Sequence, residues 1–564
     1  MGSPLRLPAV LRPGSAGPRR LAGFPAGRLG PDRPVHLLSI LKRPVSPMSQ
    51  EPPKPAHVDL TFLYQTKAGR TVGSFVLLAA LCQVLPYPAL RFVPDDAFDL
   101  LPRLLRWEVD PLPWSLQPSE ALAATPVDDE TLLELPVASV DEPPTPRPSL
   151  VKSIDYRAPI VLQKTFTLDS PLPPMPSSRS LSPTLVLLPI EDPHAVMSRF
   201  YASLAETAGG KGQTRVLHYG DSLITGDYIT QTIRRLMQKK FGDSGPGFVL
   251  AGKPSPWYRR NNVEVQVGGE WHTHRLTKPG IGDGAYGLGA VTFRTSDREA
   301  FVSFELPGRG ELNKTVTDLD IFHLAMPRGG RFEVSVDGEV LSTVDTEASA
   351  IAGRVSHFDL SDGPHAIRLR PVGGGEVRLF GLALERDVPG IVYDSLGLDG
   401  TRAKLLERFG AGHWEEQIRA RRPNLLVLHY GTNEGEAEGL ASKNYRDDLL
   451  AVVRRLRLGV PEVPCLLIGP MDRADTDDSG KLVSRPVVQR IADVQRRVAY
   501  MEGCAYFDTW RAMGGEGSMA RWYKSGLGGG DLTHPTRQGA ERLGVMIFTS
   551  LLDGYRRHLS AQVP

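Results

Sequence analysis

The feature that most constrains the fold of this chain is an alternation of short apolar runs with amphipathic helical stretches, which begins after Glu191. The predicted strands lie at residues 215–219, 424–429, 465–469 and 505–508, and the predicted helices lie at residues 194–208, 229–241, 444–456, 487–501 and 537–555. Strands that alternate with helices predict an α/β fold, in which a parallel sheet carries helices on both faces. Ligands of such a sheet bind beyond the carboxyl ends of its strands.

A segment of different periodicity interrupts this pattern. Between residues 286 and 387, seven or so short runs of strand character are separated by Gly, Asp and Pro turns, with no helical stretch among them. Regular short strands predict an antiparallel β-sandwich inserted into an α/β domain of residues 191–285 and 388–564. The inserted module either borders an active-site cleft or is purely structural.

The first ninety residues have the charge pattern of an exported protein. Residues 1–70 contain 11 basic and 3 acidic residues, residues 71–90 contain no charge, and acidic residues follow soon after. This predicts a basic N-terminal region and an export signal or membrane anchor over residues 71–92, with a buried core helix as the alternative. The length of the basic region favours a translation start at Met48. The LAALC run resembles a lipidation site at Cys82, although Leu81 stands where a small residue is expected.

A proline-rich, acidic segment connects this region to the α/β domain. Residues 93–190 contain 18 prolines, and residues 93–150 contain 12 acidic against 3 basic residues. Such spacing leaves no room for a long helix, so we expect an extended, mostly disordered linker that holds the α/β domain away from a membrane surface. The alternative is a region that has degraded or that folds on a partner.

The net charge and the cysteine content argue against nucleic-acid binding and against a zinc site. The formal net charge is only +2, so nucleic acid is not an expected partner. The three cysteines, Cys82, Cys465 and Cys504, form no zinc-binding motif, and their odd number and wide spacing predict buried, unpaired thiols rather than a disulfide framework.

A serine follows the first predicted strand of the α/β domain. In the run LHYGDSLITGDY, Ser222 stands in a tight turn ahead of a helix, a position that suits a nucleophile because the helix N-terminus faces it. An ordinary surface turn is the alternative when this motif is viewed alone.

A loop near the C-terminus supplies a base and a carboxylate. In GGGDLTHPTRQG, Asp531 precedes His534 by three residues and leads into the last predicted helix. Asp531 can accept a hydrogen bond from Nδ1 of His534, which leaves Nε2 free to take the proton of Ser222. An N-capping aspartate beside a surface histidine is the alternative.

Two further loops offer hydrogen-bond donors for an oxyanion. Asn433 follows a strand in LHYGTNE, and Gly400 lies in YDSLGLDGTR with an unobstructed backbone N–H. With the N–H of Ser222 they make three donors, although a helix N-cap and a positive-φ turn would equally explain Asn433 and Gly400. LHYG occurs twice, so we expect His218 and His429 to be neighbours in the sheet and buried.

The four blocks HYGDSLITGDY, LGLDGTR, HYGTNE and DLTHPTRQG resemble those of the SGNH or GDSL hydrolase superfamily, from about Arg215 to the C-terminus. They are most similar to its peptidoglycan and polysaccharide O-acetylesterases, which also insert a β-sandwich, and this resemblance implies that the inserted sandwich of residues 286–387 is carbohydrate-binding-like. The resemblance implies a flavodoxin-like α/β fold, a Ser222–His534–Asp531 triad, and an oxyanion hole of Ser222, Gly400 and Asn433. Glu434 departs from the aspartate usual after this asparagine.

These observations predict a serine esterase of the cell envelope that removes O-acetyl groups from a glycan and needs no cofactor and no metal. Its expected partners are an O-acetylated glycan substrate and, through the N-terminal apolar segment, a membrane. Its expected location is the periplasm or envelope, free or anchored to the inner membrane. The alternatives are an O-acetyltransferase with the same triad and a noncatalytic, membrane-tethered glycan-binding protein. The oligomeric state stays open.

Overall fold

The computed structural model of the chain describes residues 129–134, 158–162, 164–182, 185–278, 280–306, 310–436 and 442–562. The chain divides into two units, residues 1–107 and 108–564, and every described residue belongs to the second. The predicted basic region, the apolar segment and most of the first part of the linker therefore lie outside the described residues. Within the described ranges, no helix combines the length and the hydropathy needed to span a bilayer.

The described part of the chain contains both helices and strands, numbered here in chain order. The α-helices are α1 (Asp129–Glu134), α2 (Met197–Ala208), α3 (Ser222–Thr225), α4 (Tyr228–Phe241), α5 (His413–Arg421), α6 (Ser442–Leu458), α7 (Pro486–Met501), α8 (Thr509–Ala512), α9 (Ser518–Lys524) and α10 (Arg537–Ser560). The first ten strands are β1 (Arg179–Ser182), β2 (Leu185–Leu187), β3 (Gln213–Gly220), β4 (Gly247–Leu250), β5 (Glu264–Gly268), β6 (His272–Arg275), β7 (Val291–Thr295), β8 (Phe301–Glu305), β9 (Val316–Ala325) and β10 (Arg331–Val336). The others are β11 (Glu339–Asp345), β12 (Ala352–Gly363), β13 (Ala366–Gly373), β14 (Val377–Glu385), β15 (Gly390–Gly397), β16 (Leu425–His429), β17 (Cys465–Ile468), β18 (Ala474–Thr476), β19 (Leu482–Ser484) and β20 (Ala505–Phe507). Two 3₁₀ helices, Ala403–Arg408 and Glu434–Glu436, complete the set.

A five-stranded parallel sheet forms the centre of the α/β domain. Its strand order is β15-β3-β16-β17-β20, and every neighbouring pair is parallel. Renumbered within this domain, the order is 2-1-3-4-5, which is the flavodoxin-like order. The predicted α/β fold is confirmed, and each predicted strand overlaps the observed one to within two residues at either end.

Helices cover both faces of this sheet because its strands carry apolar side chains in both directions. On β3, Val216 belongs to one core, and Leu217 and Tyr219 belong to the other. The first core is completed by α2, α4 and α10, and the second by α5, α6 and α7. The predicted apolar face of α4 is buried in the first of these cores.

The antiparallel strands form two sheets inserted between α4 and β15. Their orders are β11-β10-β13-β8-β5 and β12-β9-β14-β7-β6, and β4 also pairs with β14. The strands of these sheets begin at Gly247, ahead of the predicted boundary at residue 286, because the short and polar β5 and β6 carry a weak periodicity. The core between the two sheets is continuous with the core on the α5, α6 and α7 face.

The described end of the predicted linker is packed on the α/β domain rather than disordered. Strands β1 and β2 pair as an antiparallel hairpin, and Leu185, Leu187 and Leu188 are all 3% exposed or less. The carbonyl of Leu188 accepts a hydrogen bond from Ser550 Oγ (2.8 Å), and the N–H of Ile160 donates to the carbonyl of Pro461 (3.2 Å). Prolines exclude a long helix here, but they allow an extended path along a surface, and the leucines supply the apolar contact.

The expectation of unpaired thiols is wrong for two of the three cysteines. Cys465 and Cys504 form a disulfide that joins the starts of the neighbouring strands β17 and β20, and both residues are buried. Only the sheet brings them together, since 39 positions separate them along the chain. Cys82 lies outside the described residues.

We expect the disulfide to stabilise the fold. Replacing both partners in a Cys465→Ala/Cys504→Ala variant removes a cross-link over 39 positions, which should lower the free energy of unfolding by roughly 2–4 kcal/mol. Urea unfolding of the wild type and the variant, each with and without reductant, measures the effect. A wild-type midpoint that does not respond to reductant would contradict a stabilising disulfide, and the variant controls for other effects of the reductant.

Candidate active site

Ser222 lies at the carboxyl end of the central strand β3, where it begins the short helix α3. The preceding Asp221 caps this helix, because its Oδ1 accepts the N–H of Leu223 at 3.1 Å. Glycine is required beneath the helix, since a Cβ on Gly220 would lie 2.3 Å from the side chain of Ile224. A Cβ on Gly397, the register partner of Gly220 on β15, would lie 2.3 Å from the backbone of α3.

The structure brings His534 and Asp531 to this serine. His534 Nε2 lies 2.7 Å from Ser222 Oγ, and His534 Nδ1 lies 2.7 Å from Asp531 Oδ2. The other oxygen of Asp531 accepts the N–H groups of Thr533 (3.0 Å) and His534 (2.9 Å), which fixes the carboxylate within its own loop. The side chains of His534 and Asp531 are 42% and 54% exposed, so the site is open to solvent.

The electrostatics of the hydrogen-bonded series Ser222–His534–Asp531 suit proton transfer. Partial burial opposes ionisation of Asp531, but the hydrogen bonds from the His534 ring and from the two amides hold its pKa at about 2. The hydrogen bond to Asp531 raises the pKa of His534 above its ordinary value, and partial burial only partly offsets this. With the Nδ1 proton held by a carboxylate, the lone pair of neutral Nε2 faces the serine hydroxyl. The arrangement can therefore deprotonate Ser222.

The other two predicted residues meet beside the same sheet edge. Asn433 follows β16, and its Nδ2 donates a hydrogen bond to the carbonyl of Thr401 (2.9 Å), the residue after Gly400. Gly400 has a φ of 73°, a left-handed conformation that favours glycine. A primary amide has two N–H groups, so the contact with Thr401 leaves Asn433 one donor for a ligand. The N–H of Leu398 donates to the carbonyl of Gly220 (3.0 Å) and joins this turn to the serine loop.

Arg473 is a positioning residue that the sequence did not reveal. It follows β17 and is 2% exposed, and its guanidinium donates to the carbonyl of Thr432 (2.8 Å) and to Oγ1 of Thr533 (3.2 Å). It therefore joins the loop of Asn433 to the loop of His534. The available signal was a charged residue five positions after an apolar strand, in the run LLIGPMDRAD.

Two buried carboxyl groups lie under the site. Burial raises the pKa of Asp221 to about 6. Burial raises the pKa of Glu434 to about 7, and the negative charge of Asp221 adds to the effect. Glu434 Oε1 accepts the N–H of Ala403 at 2.8 Å, so the residue that departs from the family pattern joins the Asn433 loop to the 3₁₀ helix after Gly400.

The histidine pair His218 and His429 lies inside the sheet, as its repeated motif predicts. Their rings are stacked at 5.5 Å between centroids, and both residues are fully buried. Burial lowers the pKa of His429 to about 3 and that of His218 well below its ordinary value. Nδ1 of His218 is hydrogen-bonded to the hydroxyl of Tyr393 (2.8 Å). Both rings therefore stay neutral and belong to the core.

Among the described residues, one group of side chains could hold a metal ion. Asp318, His357 and Asp359 of the inserted module place their ligand atoms within 4.8 Å of one another. Asp318 and His357 border a cavity of about 230 Å³ that is also lined by Gln213, at the start of β3. Ser222 follows the other end of this strand, roughly 25 Å away at about 3.3 Å per residue. This group is therefore separate from the serine site.

Residues 370–542 match the model of the GDSL-like Lipase/Acylhydrolase family. This range includes Gly400, Asn433, Asp531 and His534, and Ser222 precedes it because the inserted module separates the serine loop from the other blocks. No curated protein matches the sequence.

The fold is similar to that of solved structures. A structure described as a peptidoglycan O-acetylesterase aligns with a TM-score of 0.55 and 22% identity, over 65% of this chain and 99% of that one. A family two carbohydrate esterase from Cellvibrio japonicus aligns with a TM-score of 0.23 and 12% identity, over 55% of this chain and 98% of that one. The salicylyl-acyltransferase SsfX3 from a tetracycline biosynthetic pathway aligns with a TM-score of 0.24 and 16% identity, over 56% of this chain and 97% of that one. The peptidoglycan O-acetylesterase likeness supports the α/β fold with its inserted β module.

The contact between Asp531 and His534 predicts the pH dependence of activity. His534 acts as a base only when neutral, so kcat/KM should rise with pH through a pKa above the ordinary 6.5. An Asp531→Asn variant should lower kcat by up to about 10⁴-fold and move the remaining rise to lower pH, because the carboxylate no longer stabilises the imidazolium. Initial rates with p-nitrophenyl acetate from pH 5 to 9 measure both effects. Asp478→Asn, at an exposed carboxylate, is the control, and an unmoved midpoint in Asp531→Asn would refute the coupling.

The raised pKa of Glu434 predicts that the stability of the protein depends on pH. Its pKa of about 7 in the folded protein exceeds the ordinary 4.5. Between these values the unfolded chain releases a proton that the folded protein retains, so the wild type loses stability as the pH rises. Glu434→Gln can still accept the N–H of Ala403 but cannot ionise. Its free energy of unfolding relative to wild type should rise across this window by up to about 1.4 kcal/mol per pH unit, which urea unfolding at several pH values would measure. A constant difference would contradict the shift.

Proposed function

We propose that this protein, whose residues 370–542 match the model of the GDSL-like Lipase/Acylhydrolase family, is an esterase that removes O-acetyl groups from peptidoglycan or another polysaccharide of the cell envelope. The observation that carries the proposal is the continuous hydrogen-bonded chain from Ser222 through His534 to Asp531 at the carboxyl edge of the parallel sheet. In this proposal Ser222 is the nucleophile, His534 the general acid and base, and Asp531 the group that orients and stabilises the imidazolium.

The first half-reaction forms an acetyl-enzyme. Ser222 Oγ attacks the acetyl carbonyl carbon while His534 Nε2 takes the hydroxyl proton, which gives a tetrahedral intermediate and an imidazolium paired with Asp531. The C–O bond to the sugar then breaks, and His534 returns the proton to the leaving sugar oxygen. The products of this step are a free sugar hydroxyl and an acetyl ester on Ser222.

The second half-reaction releases acetate. A water molecule attacks the acetyl ester while His534 takes one of its protons, and the collapse of the second intermediate returns that proton to Ser222 Oγ. Each intermediate carries a negatively charged oxygen, for which the N–H groups of Ser222 and Gly400 and the free amide N–H of Asn433 are the proposed donors. Preorganised donors lower the barrier because they need no rearrangement when the charge develops.

The substrate class is supported by the inserted module and by its contacts with the site. Arg275 of β6 donates to both the carboxylate and the carbonyl of Asp399, each at 2.8 Å, and Asp399 precedes Gly400. The inserted module therefore reaches the rim of the site, where it can contact a large substrate. The structure that aligns with a TM-score of 0.55 is described as a peptidoglycan O-acetylesterase, and this description motivates the choice of an acetylated glycan.

The location proposed for the protein is the periplasm or cell envelope, either free or anchored to the inner membrane by residues 71–92. The uncharged run of residues 71–90 motivates the proposal. The Cys465–Cys504 disulfide is a second argument, since such bonds form and persist in oxidising compartments.

Acetate release tests the function directly. The full chain and its Ser222→Ala variant are each incubated with p-nitrophenyl acetate and with O-acetylated peptidoglycan, and free acetate is measured. We expect release from both substrates that depends on Ser222. If acetyl appears on an added acceptor glycan instead of in solution, the enzyme is a transferase. A folded wild-type protein that cleaves neither ester would overturn the proposal.

Asn433 offers a separate test of the oxyanion assignment. Asn433→Ala should lower kcat for p-nitrophenyl acetate by about 10²- to 10³-fold, with a much smaller change in KM, because the lost donor acts mainly in the transition state. Steady-state kinetics at one pH measure the split. Unchanged turnover would remove Asn433 from the mechanism. An effect confined to KM would point instead to ground-state binding.

A further inference from the structure

A tight turn of the loop after β4 displays an indole ring to solvent. The N–H of Tyr258 donates to the carbonyl of Ser255 (3.2 Å), which places Pro256 and Trp257 at the tip of the turn. Nη1 of Arg259 donates to the carbonyl of Pro256 at 2.7 Å and braces the tip. Trp257 is 54% exposed, and it is the one exposed tryptophan among those that the structure describes. The turn is braced, yet its largest apolar side chain is not buried.

One side of this turn is joined to the proposed oxyanion loop. Oγ of Ser255 donates to Oδ1 of Asp399 at 2.6 Å, and Asp399 is the residue before Gly400. Ser255 is itself buried. Because consecutive Cα atoms are 3.8 Å apart, the Cα of Trp257 lies within about 8 Å of the Cα of Ser255.

The other side is joined to the helix of the proposed nucleophile. The N–H of Arg259 donates to the carbonyl of Thr225, the last residue of the helix that Ser222 begins, at 3.1 Å. The next residue, Arg260, is buried and pairs with the equally buried Asp227 at 3.3 Å. Trp257 thus stands at the tip of a turn that is hydrogen-bonded both to the Ser222 helix and to the Gly400 loop.

The chemistry of the exposed indole favours a sugar ring as its ligand. One face of a pyranose carries C–H groups and its edge carries hydroxyls, so it can lay its apolar face on an aromatic ring and keep its polar groups in water. The indole N–H of Trp257 meets no acceptor among the described residues, so it can donate to a sugar hydroxyl. The tight turn also limits the conformational entropy that binding would remove.

We propose that Trp257 is a stacking platform for a sugar ring of the glycan, beside the acetyl ester that Ser222 attacks. This inference rests on the proposed function and adds to it the residue that selects a glycan over a small ester. Trp257 is a specificity residue in this account, since it contacts the carbohydrate and takes no part in proton transfer.

The test compares two substrates in four proteins. The wild type, Trp257→Ala, Trp257→Phe and Leu341→Ala are assayed with O-acetylated peptidoglycan and with p-nitrophenyl acetate, all as full chains. Leu341 is the matched control, because it is an apolar side chain, 47% exposed, on the edge strand β11. The readout is the ratio of kcat/KM for the glycan to kcat/KM for the small ester. We expect this ratio to fall about tenfold in Trp257→Ala, to fall less in Trp257→Phe, and to stay at the wild-type value in Leu341→Ala.

Several results would overturn the proposal. An unchanged ratio in Trp257→Ala would show that the indole does not select the glycan. An equal loss on both substrates would show that Trp257 only supports the loop. If Trp257→Ala instead changes the ratio of kcat/KM for p-nitrophenyl octanoate to kcat/KM for p-nitrophenyl acetate, the indole contacts the acyl group rather than the sugar.

A wild-type enzyme that hydrolyses the small ester but not the glycan would contradict the proposed function. A binding measurement then tests the stacking platform separately. The probe is soluble O-acetylated peptidoglycan fragments, titrated into Ser222→Ala and into Ser222→Ala/Trp257→Ala. A weaker affinity in the double variant supports the platform. Equal affinities, or no binding to either variant, refute it.

Discussion

The parallel pairing of β3 between β15 and β16 is the interaction on which the rest of the site depends. In this ladder Gly220 is level with Gly397 on one side and with His429 on the other, so the loops that carry Ser222, Gly400 and Asn433 leave the sheet at the same height. Backbone hydrogen bonds therefore set the spacing of the proposed nucleophile and its proposed oxyanion donors before any side chain acts. The loop of Asp531 and His534 reaches the same edge from the start of α10.

Buried charges then hold these loops against one another. Asp227, beyond the serine helix, pairs with Arg234 of α4 and with Arg260 of the inserted region, and the two arginines hold its pKa at about 2 although burial opposes this. The buried guanidinium of Arg473 joins the Asn433 loop to the His534 loop through hydrogen bonds to a carbonyl and a hydroxyl. A buried ion pair contributes little net stability, because desolvation offsets its attraction. Removing one partner is nevertheless strongly destabilising, so these pairs permit few alternative loop arrangements.

The sequence predicts those parts of the structure whose signal is local. Helix α4, four of the five strands of the parallel sheet and the motif residues follow from periodicities of 3.6 and 2 residues and from short blocks of sequence. The edge strand β15 was not among the predicted strands. The Cys465–Cys504 disulfide could not be predicted, because only the strand order brings the two thiols together. The packing of the described residues between 158 and 190 was missed because prolines dominate the composition of this segment and its buried leucines are sparse. Arg473 and Trp257 belong to no motif, and their positions acquire meaning only from contacts with distant loops.

Covalent trapping of the nucleophile tests the account most directly. An organophosphonate ester that mimics the tetrahedral intermediate is incubated with the full chain, and the labelled peptide is identified by mass spectrometry. We expect one phosphonyl group on Ser222, and we expect labelling to slow sharply in Asp531→Asn because His534 is no longer held in the tautomer that activates the serine. Labelling at another residue, or a folded protein that remains unlabelled while it still hydrolyses esters, would contradict the assignment of Ser222 as the nucleophile.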